Sequence, residues 1–175
     1  MESNAQKDYS SVLEQFFINC LQELYWSEIT LIQVLDTMNS AASAEGLKEV
    51  FVVHKEETEK QVKRLEEVFN LLKLPPEGRR CVGLQGLFDE GWKVIDETEA
   101  NSASRDVALV IAAQKVEHYE IATYGSLITL AKTMGAKDIA KILAPTLEEE
   151  KEADKTLSAI AEGGLNKEAT QEETV

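Results

Sequence analysis

The chain has 175 residues, 43% of them hydrophobic, and 32 acids against 18 bases give it a formal net charge of −14. That composition fits one domain whose core needs no staples, and the acidity opposes binding to nucleic acid or to an anionic membrane surface. No run approaches the roughly 18 apolar residues of a membrane span, and "MESNAQKDYSS" lacks the charged and apolar regions of a signal peptide, so a cytoplasmic protein is expected.

Residues 1–10 are expected to form a flexible start to a domain spanning residues 11–162. From about Ser11 to Met38, Leu13, Phe17, Leu21, Leu24, Leu31, Leu35 and Met38 mark one helix face. "NSAASAEG" then turns the chain. Leu47, Val50, Phe51, Leu65, Val68, Phe69 and Leu72 mark a second helix, stopped by "LPPEGRR". Two long helices joined by a short turn pack antiparallel. The next stretch, "CVGLQGLFDEGWKVIDETEANS", carries Leu84, Leu87, Phe88, Trp92 and Ile95, a short amphipathic helix inside a long crossover.

Ser104 is the expected cap of a third long helix running to about Met134. Val107, Val110, Ile111, Ile121, Tyr124 and Ile128 form its stripe, and Gly135 ends it. A fourth follows from about Lys137 with Ile139, Ile142, Leu143, Leu147, Leu157 and Ile160, and Pro145 predicts a kink or short break within it. The closing "EGGLNKEATQEETV" is polar and periodless, so residues 163–175 are expected to be a disordered acidic tail. The sequence therefore predicts an all-α, antiparallel four-helix bundle with one long crossover carrying a short extra helix.

Each long helix interrupts its apolar stripe with acids. Glu28 stands between Leu24 and Leu31, and the stripe from Phe51 to Leu65 passes through His54, Glu57 and Gln61. Glu117 falls on the third stripe with Glu120 at its edge, while Leu147 and Leu157 bracket Glu150 and Asp154. With position 43 as the first hairpin's midpoint, Glu28 lies 15 residues before it and Glu57 lies 14 after. With Gly135 as the second, Glu120 and Glu150 lie 15 before and 15 after, and Glu117 and Asp154 lie 18 before and 19 after. Both hairpins thus set their acids about 22 Å from the turn, at the helical rise of about 1.5 Å per residue. Isolated buried carboxylates are costly, and no lysine or arginine falls on these inner positions, so a bound cation is the economical answer. Carboxylate and imidazole donors on bundle helices suit iron or manganese, and a pair of such ions can share bridging carboxylates.

Plainer readings stand beside this one. The acids would be ordinary solvated residues if the face assignment is off by one, and Glu120 and Asp154 lie nearest the stripe edges. His54 would then be a core histidine, and His118, pointing about 100° away from Glu117, caps a packing interface. Tyr25 and Tyr124 lie one turn from the acids and are read as core residues whose hydroxyls find hydrogen bonds. Cys20 and Cys81 match no metal or redox spacing, and Cys20 reads as a small core residue.

"LYWSEITLIQVL", "HKEETEKQVKRLEEVF", "AAQKVEHYEIATYG" and "TLEEEKEADKTL" resemble the YciE/YciF-type stress-associated proteins of the ferritin-like superfamily, over roughly residues 11–162 and including "GRRCVGLQGL". The resemblance implies a ferritin-like bundle, usually paired into homodimers, with a candidate dinuclear metal site like that of rubrerythrins and bacterioferritins. It implies metal ligation by Glu28, His54, Glu57, Glu117, Glu120, Glu150 and Asp154, most simply of two iron ions, with manganese or zinc as alternatives. Glu57 and Glu150 or Glu117 would bridge. The sequence departs from the superfamily's Glu-x-x-His pattern twice: Lys60 follows Glu57 while His54 precedes it, and Ala153 follows Glu150. The implied activity is oxygen or peroxide reduction or iron handling, fed by an external electron donor. The alternatives are a dimeric stress-response interaction protein with a structural or vestigial site, and a di-iron hydroxylase.

Overall fold

A computed structural model describes residues 11–172, and the expected flexible start at residues 1–10 lies outside them. Among the described residues there is no strand, and no helix is long and apolar enough to cross a membrane. The long elements are α1 (Val12–Ala41), α2 (Glu45–Leu72), α3 (Val82–Glu97), α4 (Ala103–Thr133) and α5 (Lys137–Ile160), followed by a π-helical turn (Ala161–Leu165) and α6 (Asn166–Ala169). The broadest packing is α4 on α5 and α1 on α2; α2 lies against α5, and α3 lies mainly on α4.

Local chemistry sets most of these boundaries. Ser11 accepts from the Glu14 amide at 3.1 Å while Glu14 reaches back to the Ser11 amide, a reciprocal cap that starts α1. The α1–α2 turn is held from across the molecule: buried Asp106, in the first turn of α4, accepts from the Ser43 amide, the Ser43 hydroxyl and the Ala44 amide at 2.8, 2.6 and 2.7 Å. Ala44 supplies no side-chain cap of its own to α2, so a carboxylate from α4 meets that helix start instead. Lys73 closes α2 in the left-handed conformation before Pro75 and Pro76. Gly83 lets α3 approach α4, because a Cβ there would come within 2.7 Å of the Tyr119 ring. Gly135, with φ +79°, turns α4 into α5, and the Ala136 amide bonds back to the Ala131 carbonyl at 2.8 Å.

Four expectations need correction. Ser102, not Ser104, caps α4: Ser102 is extended and accepts from the Arg105 amide, whereas the Ser104 hydroxyl donates to Glu172 at 2.6 Å. Ile111 and Leu13 are exposed, and α4 instead buries Ala112, Ala113 and Val116 because α3 and α5 cover two of its sides. Helix α5 runs unbroken through Pro145; Pro145 and Lys141 are exposed, so the carbonyl deprived of its amide partner faces water. Helical structure also continues past residue 162. Leu165 is buried with Leu157 and Leu109, and Glu172 accepts from the Ala103 and Ser104 amides at the start of α4, so the polar stretch is anchored by one apolar residue and one cap.

The core comes in two parts. One gathers Leu31, Leu35, Leu47, Phe51, Leu84, Phe88, Leu109 and Val116; the other gathers Phe17, Leu21, Leu24, Leu65, Phe69, Tyr124, Leu127 and Leu143. Between them α1, α2, α4 and α5 each pass through a polar stretch.

Candidate metal centre

That stretch contains nearly every buried polar side chain among the described residues: Ser27 and Glu28 from α1, His54, Thr58 and Gln61 from α2, Glu117 and Glu120 from α4, and Thr146 and Glu150 from α5. They are buried because they recur at helical spacing in register with the leucines and phenylalanines on either side. His54, Glu117, Glu120 and Glu150 each bring one donor atom to a common locus, all four within 4.8 Å of one another. The His54 Nε2 lies 3.4 Å from Glu117 and 3.7 Å from Glu150.

Glu28, fully buried, accepts from the Tyr124 hydroxyl at 2.5 Å. On the far side Gln61 donates to Glu150 at 2.5 Å and to Glu149 at 3.2 Å. Arg64 grips Glu149 through both terminal nitrogens, at 2.5 and 2.7 Å, and donates to Thr146 at 3.1 Å. This chain anchors α5 to α2 beside the centre. Burial pushes Glu149 up, but Arg64 and Gln61 outweigh it and hold its carboxyl below the usual range.

The inner acids have no such relief. Burial, reinforced by Glu150, raises Glu28 and Glu117 well above the ordinary carboxylate value, although Tyr124 partly offsets it at Glu28; burial and Glu28 do the same to Glu120. Burial likewise raises the Tyr124 hydroxyl. At His54 burial disfavours the charged ring, yet the Glu57 carboxylate and the charges of Glu150 and Glu149 outweigh it and raise the imidazole above its usual value.

One oxygen of Glu28, one of Glu117, one of Glu150, both of Glu120 and both ring nitrogens of His54 are buried without a hydrogen-bond partner. Buried polar atoms are rarely left in that state, and a divalent ion would meet one donor each from His54, Glu117, Glu120 and Glu150. A mixed oxygen and imidazole donor set fits iron, manganese or zinc.

The remaining sequence candidates lie outside the group of four. Glu57, 31% exposed, sits with its carboxylate 3.7 Å from His54 Nδ1. Asp154 lies away from the centre: it meets the exposed His118 at 3.2 Å and accepts from Gln114 at 3.0 Å. On α5 it is Ala153 that is buried, and Asp154, one residue on, is rotated by about 100° from it. Tyr25 bonds to Glu66 at 3.0 Å, and the buried Cys81 Sγ lies 3.2 Å from the Tyr119 hydroxyl. The sequence places Gln61 on the polar break of the α2 stripe but not as a partner of Glu150, and it places Arg64 and Glu149 nowhere in the site. The spacing of Gln61, seven residues after His54 on one stripe, was the available signal for it, whereas the Arg64–Glu149 pair carries none beyond opposite charge.

The sequence matches the family described as Domain of unknown function (DUF892) over residues 12–170. The chain belongs to that family. It is 43% identical over 158 residues to Protein YciF of Escherichia coli strain K12, covering 90% of this chain and 95% of that one. The crystal structure of the E. coli stress protein YciF superimposes with a TM-score of 0.84 at 42% identity, over 90% of this chain and 99% of that chain. YcfI from Rhodopseudomonas palustris superimposes with a TM-score of 0.82 at 34% identity, over 90% and 98%. A Xanthomonas campestris protein at 23% identity, with a TM-score of 0.64 over 88% and 96%, shares the fold alone.

Proposed function

We propose that this protein is a cytoplasmic, stress-associated di-metal carboxylate protein on a ferritin-like antiparallel four-helix bundle, with iron as the resident metal. The observation that carries the reading is the set of buried, partnerless donor atoms on His54, Glu117, Glu120, Glu150 and Glu28. His54, Glu117, Glu120 and Glu150 would hold one ion, and Glu28, which interacts electrostatically with Glu150 and Glu120, would serve a second that shares their carboxylates. Iron in such a set supplies reducing equivalents to oxygen or peroxide, the reaction class this reading assigns.

The chain's own residues support that chemistry in definable ways. Tyr124 donates to Glu28 and fixes which oxygen remains free for a metal. Gln61 orients Glu150 in the same manner, and the Arg64–Glu149 pair braces Gln61 from outside. The two apolar half-cores exclude bulk water from both ends of the centre. Repeated turnover draws electrons from an external donor, and the working unit is a homodimer.

The test is an anaerobic Fe(II) titration of metal-stripped protein, followed by oxygen exposure with optical spectra and oxygen uptake recorded. Glu117→Ala and Glu150→Ala are run beside it. A pair of Fe(II) ions per chain, with oxygen consumption lost in both variants, is the expected result. Failure to bind any divalent metal would sink the reading. Metal-dependent stabilisation without oxygen consumption would favour an interaction protein with a structural ion, a role for which the four-donor locus already suffices.

A further inference from the structure

Two cavities flank the polar layer, and they differ in charge. The cavity between α1 and α4, about 510 Å³, is walled by Leu24, Leu84, Leu127 and both cysteines, and its carboxylate, Glu23, lies 3.6 Å from Arg79. The cavity between α2 and α5, about 390 Å³, is lined by Glu49, Glu57 and Glu152, with His54 and the small Ala153 on its wall. No lysine or arginine lines it, although exposed Lys155 reaches Glu152 from the surface at 3.2 Å.

We propose that the α2–α5 cavity is the path by which a divalent cation reaches the buried centre, and that Glu57 hands the ion inward to His54. This rests on the reading that the centre binds metal. His54 belongs to both spaces. Its side chain is only 3% exposed, it lines the cavity, its Nδ1 lacks a hydrogen-bond partner and faces Glu57 at 3.7 Å, and its Nε2 faces Glu117 and Glu150. Glu57 is 31% exposed, whereas the His54 and Glu117 side chains are 3% exposed and Glu150 is at 0%, so its carboxylate meets solvent and the centre's edge at once.

A hydrated ion arriving at such a wall exchanges water for carboxylate oxygen before it meets imidazole, which spreads the dehydration over two steps. An anionic cleft with apolar walls also concentrates cations, and such focusing raises association rates by about 10- to 1,000-fold. Val50, Val53 and Ile160 supply those walls. The α1–α4 cavity has Glu23, paired with Arg79, as its one carboxylate and no histidine on its wall, so it offers a cation no comparable route inward.

The experiment follows Co(II) association with the metal-stripped full chain by stopped-flow absorbance, and Co(II) release by chelator chase. Glu57→Gln should slow association and release alike by about tenfold or more, leaving the equilibrium affinity within about threefold, the signature of a residue on the path rather than a resident ligand. Val53→Trp, at a half-exposed wall position, should obstruct the same cavity and slow association, while Ala122→Trp in the opposite cavity should not. Added salt should slow the wild type more than Glu57→Gln. Unchanged rates in Glu57→Gln and Val53→Trp, or slowing by Ala122→Trp instead, would overturn the path while leaving the metal centre standing. A Glu57→Gln variant with faster release and a large loss of affinity would also overturn it, by making Glu57 a resident ligand. If the wild type takes up no Co(II), the metal reading itself fails and the path with it.

Discussion

The two apolar half-cores and the polar layer between them share α1, α2, α4 and α5, with α3 adding Leu84 and Phe88 to one half-core, yet their stability has different sources. In the half-cores, Leu21, Leu65, Phe69, Leu84 and Phe88 are essentially inaccessible and gain from close packing alone. In the layer, Glu28, Glu117, Glu120 and Glu150 are as deeply buried, but burial of each carboxylate costs several kcal/mol unless a proton or cation meets it. A region stabilised by packing holds no group for a proton or a metal ion to act on, whereas one that awaits such a partner responds to both. The layer is therefore where metal and pH should act.

The largest separation of the two regions should come from truncating a half-core. Phe69→Ala removes a fully buried ring that also meets Tyr25 edge-on at 5.7 Å. It should cost about 3–5 kcal/mol in urea unfolding, with or without metal. A loss that depends on metal would show that the half-core and the layer are not independent.

Metal addition probes the layer directly. A ligand that binds only the folded chain stabilises it by about 2.7 kcal/mol at one hundred times its dissociation constant. Manganese or zinc, chosen to avoid oxidation, should produce a rise of that order in the unfolding free energy of wild type and none in a Glu117→Ala, Glu150→Ala double variant. Equal stabilisation of both proteins would place the ion elsewhere.

The third effect is the pH dependence of the metal-free protein, and its sign is unusual for carboxylates. Glu28, Glu117 and Glu120 are raised well above the ordinary value chiefly by burial, so the folded chain keeps protons that the unfolded chain releases near about pH 4.3. Stability is fullest below that unfolded value and falls as pH rises toward the folded ones, with a slope of up to about 1.4 kcal/mol per pH unit for each such group. Urea unfolding at a series of pH values from about 4.5 upward measures it, and bound metal should flatten the slope by holding the carboxylates ionised. Stability rising with pH in the metal-free protein would mean that these acids are ionised and paired in the fold.

How legible each region was in the sequence follows from the same contrast. Leucine and phenylalanine at helical spacing identify a buried face without further information, and the order of long helices and crossover followed from it. The depth of Glu28, His54, Glu117 and Glu150 was readable too, because each is flanked by core residues one turn away. Side chains whose role depends on a partner helix were harder to read. Asp106 holds the α1–α2 turn from 62 and 63 residues away, and Arg64 meets Glu149 across 85. Neither distance leaves a local periodicity. The end of the chain misled for a similar reason: composition marked residues 163–175 as unstructured, but the single apolar Leu165 and the capping Glu172 anchor the described part of that stretch.

The smallest expected effect concerns Asp154, which sequence spacing drew toward the centre, and His118, its surface partner. Both sit on the helices that carry Glu150 and Glu117, one residue off the inner face in each case. His118 is 69% exposed, and its pairing with Asp154 at 3.2 Å is a surface contact, of the kind worth about 0–1 kcal/mol. Asp154→Asn should therefore leave metal affinity within about twofold and stability within about 0.5 kcal/mol, while Glu150→Gln, four residues earlier on α5, abolishes tight binding. Isothermal titration of both variants with manganese decides it. A large affinity loss in Asp154→Asn would mean that α5 rotates on loading to bring Asp154 inward, and the boundary between layer and surface would then be set by the metal rather than by the fold.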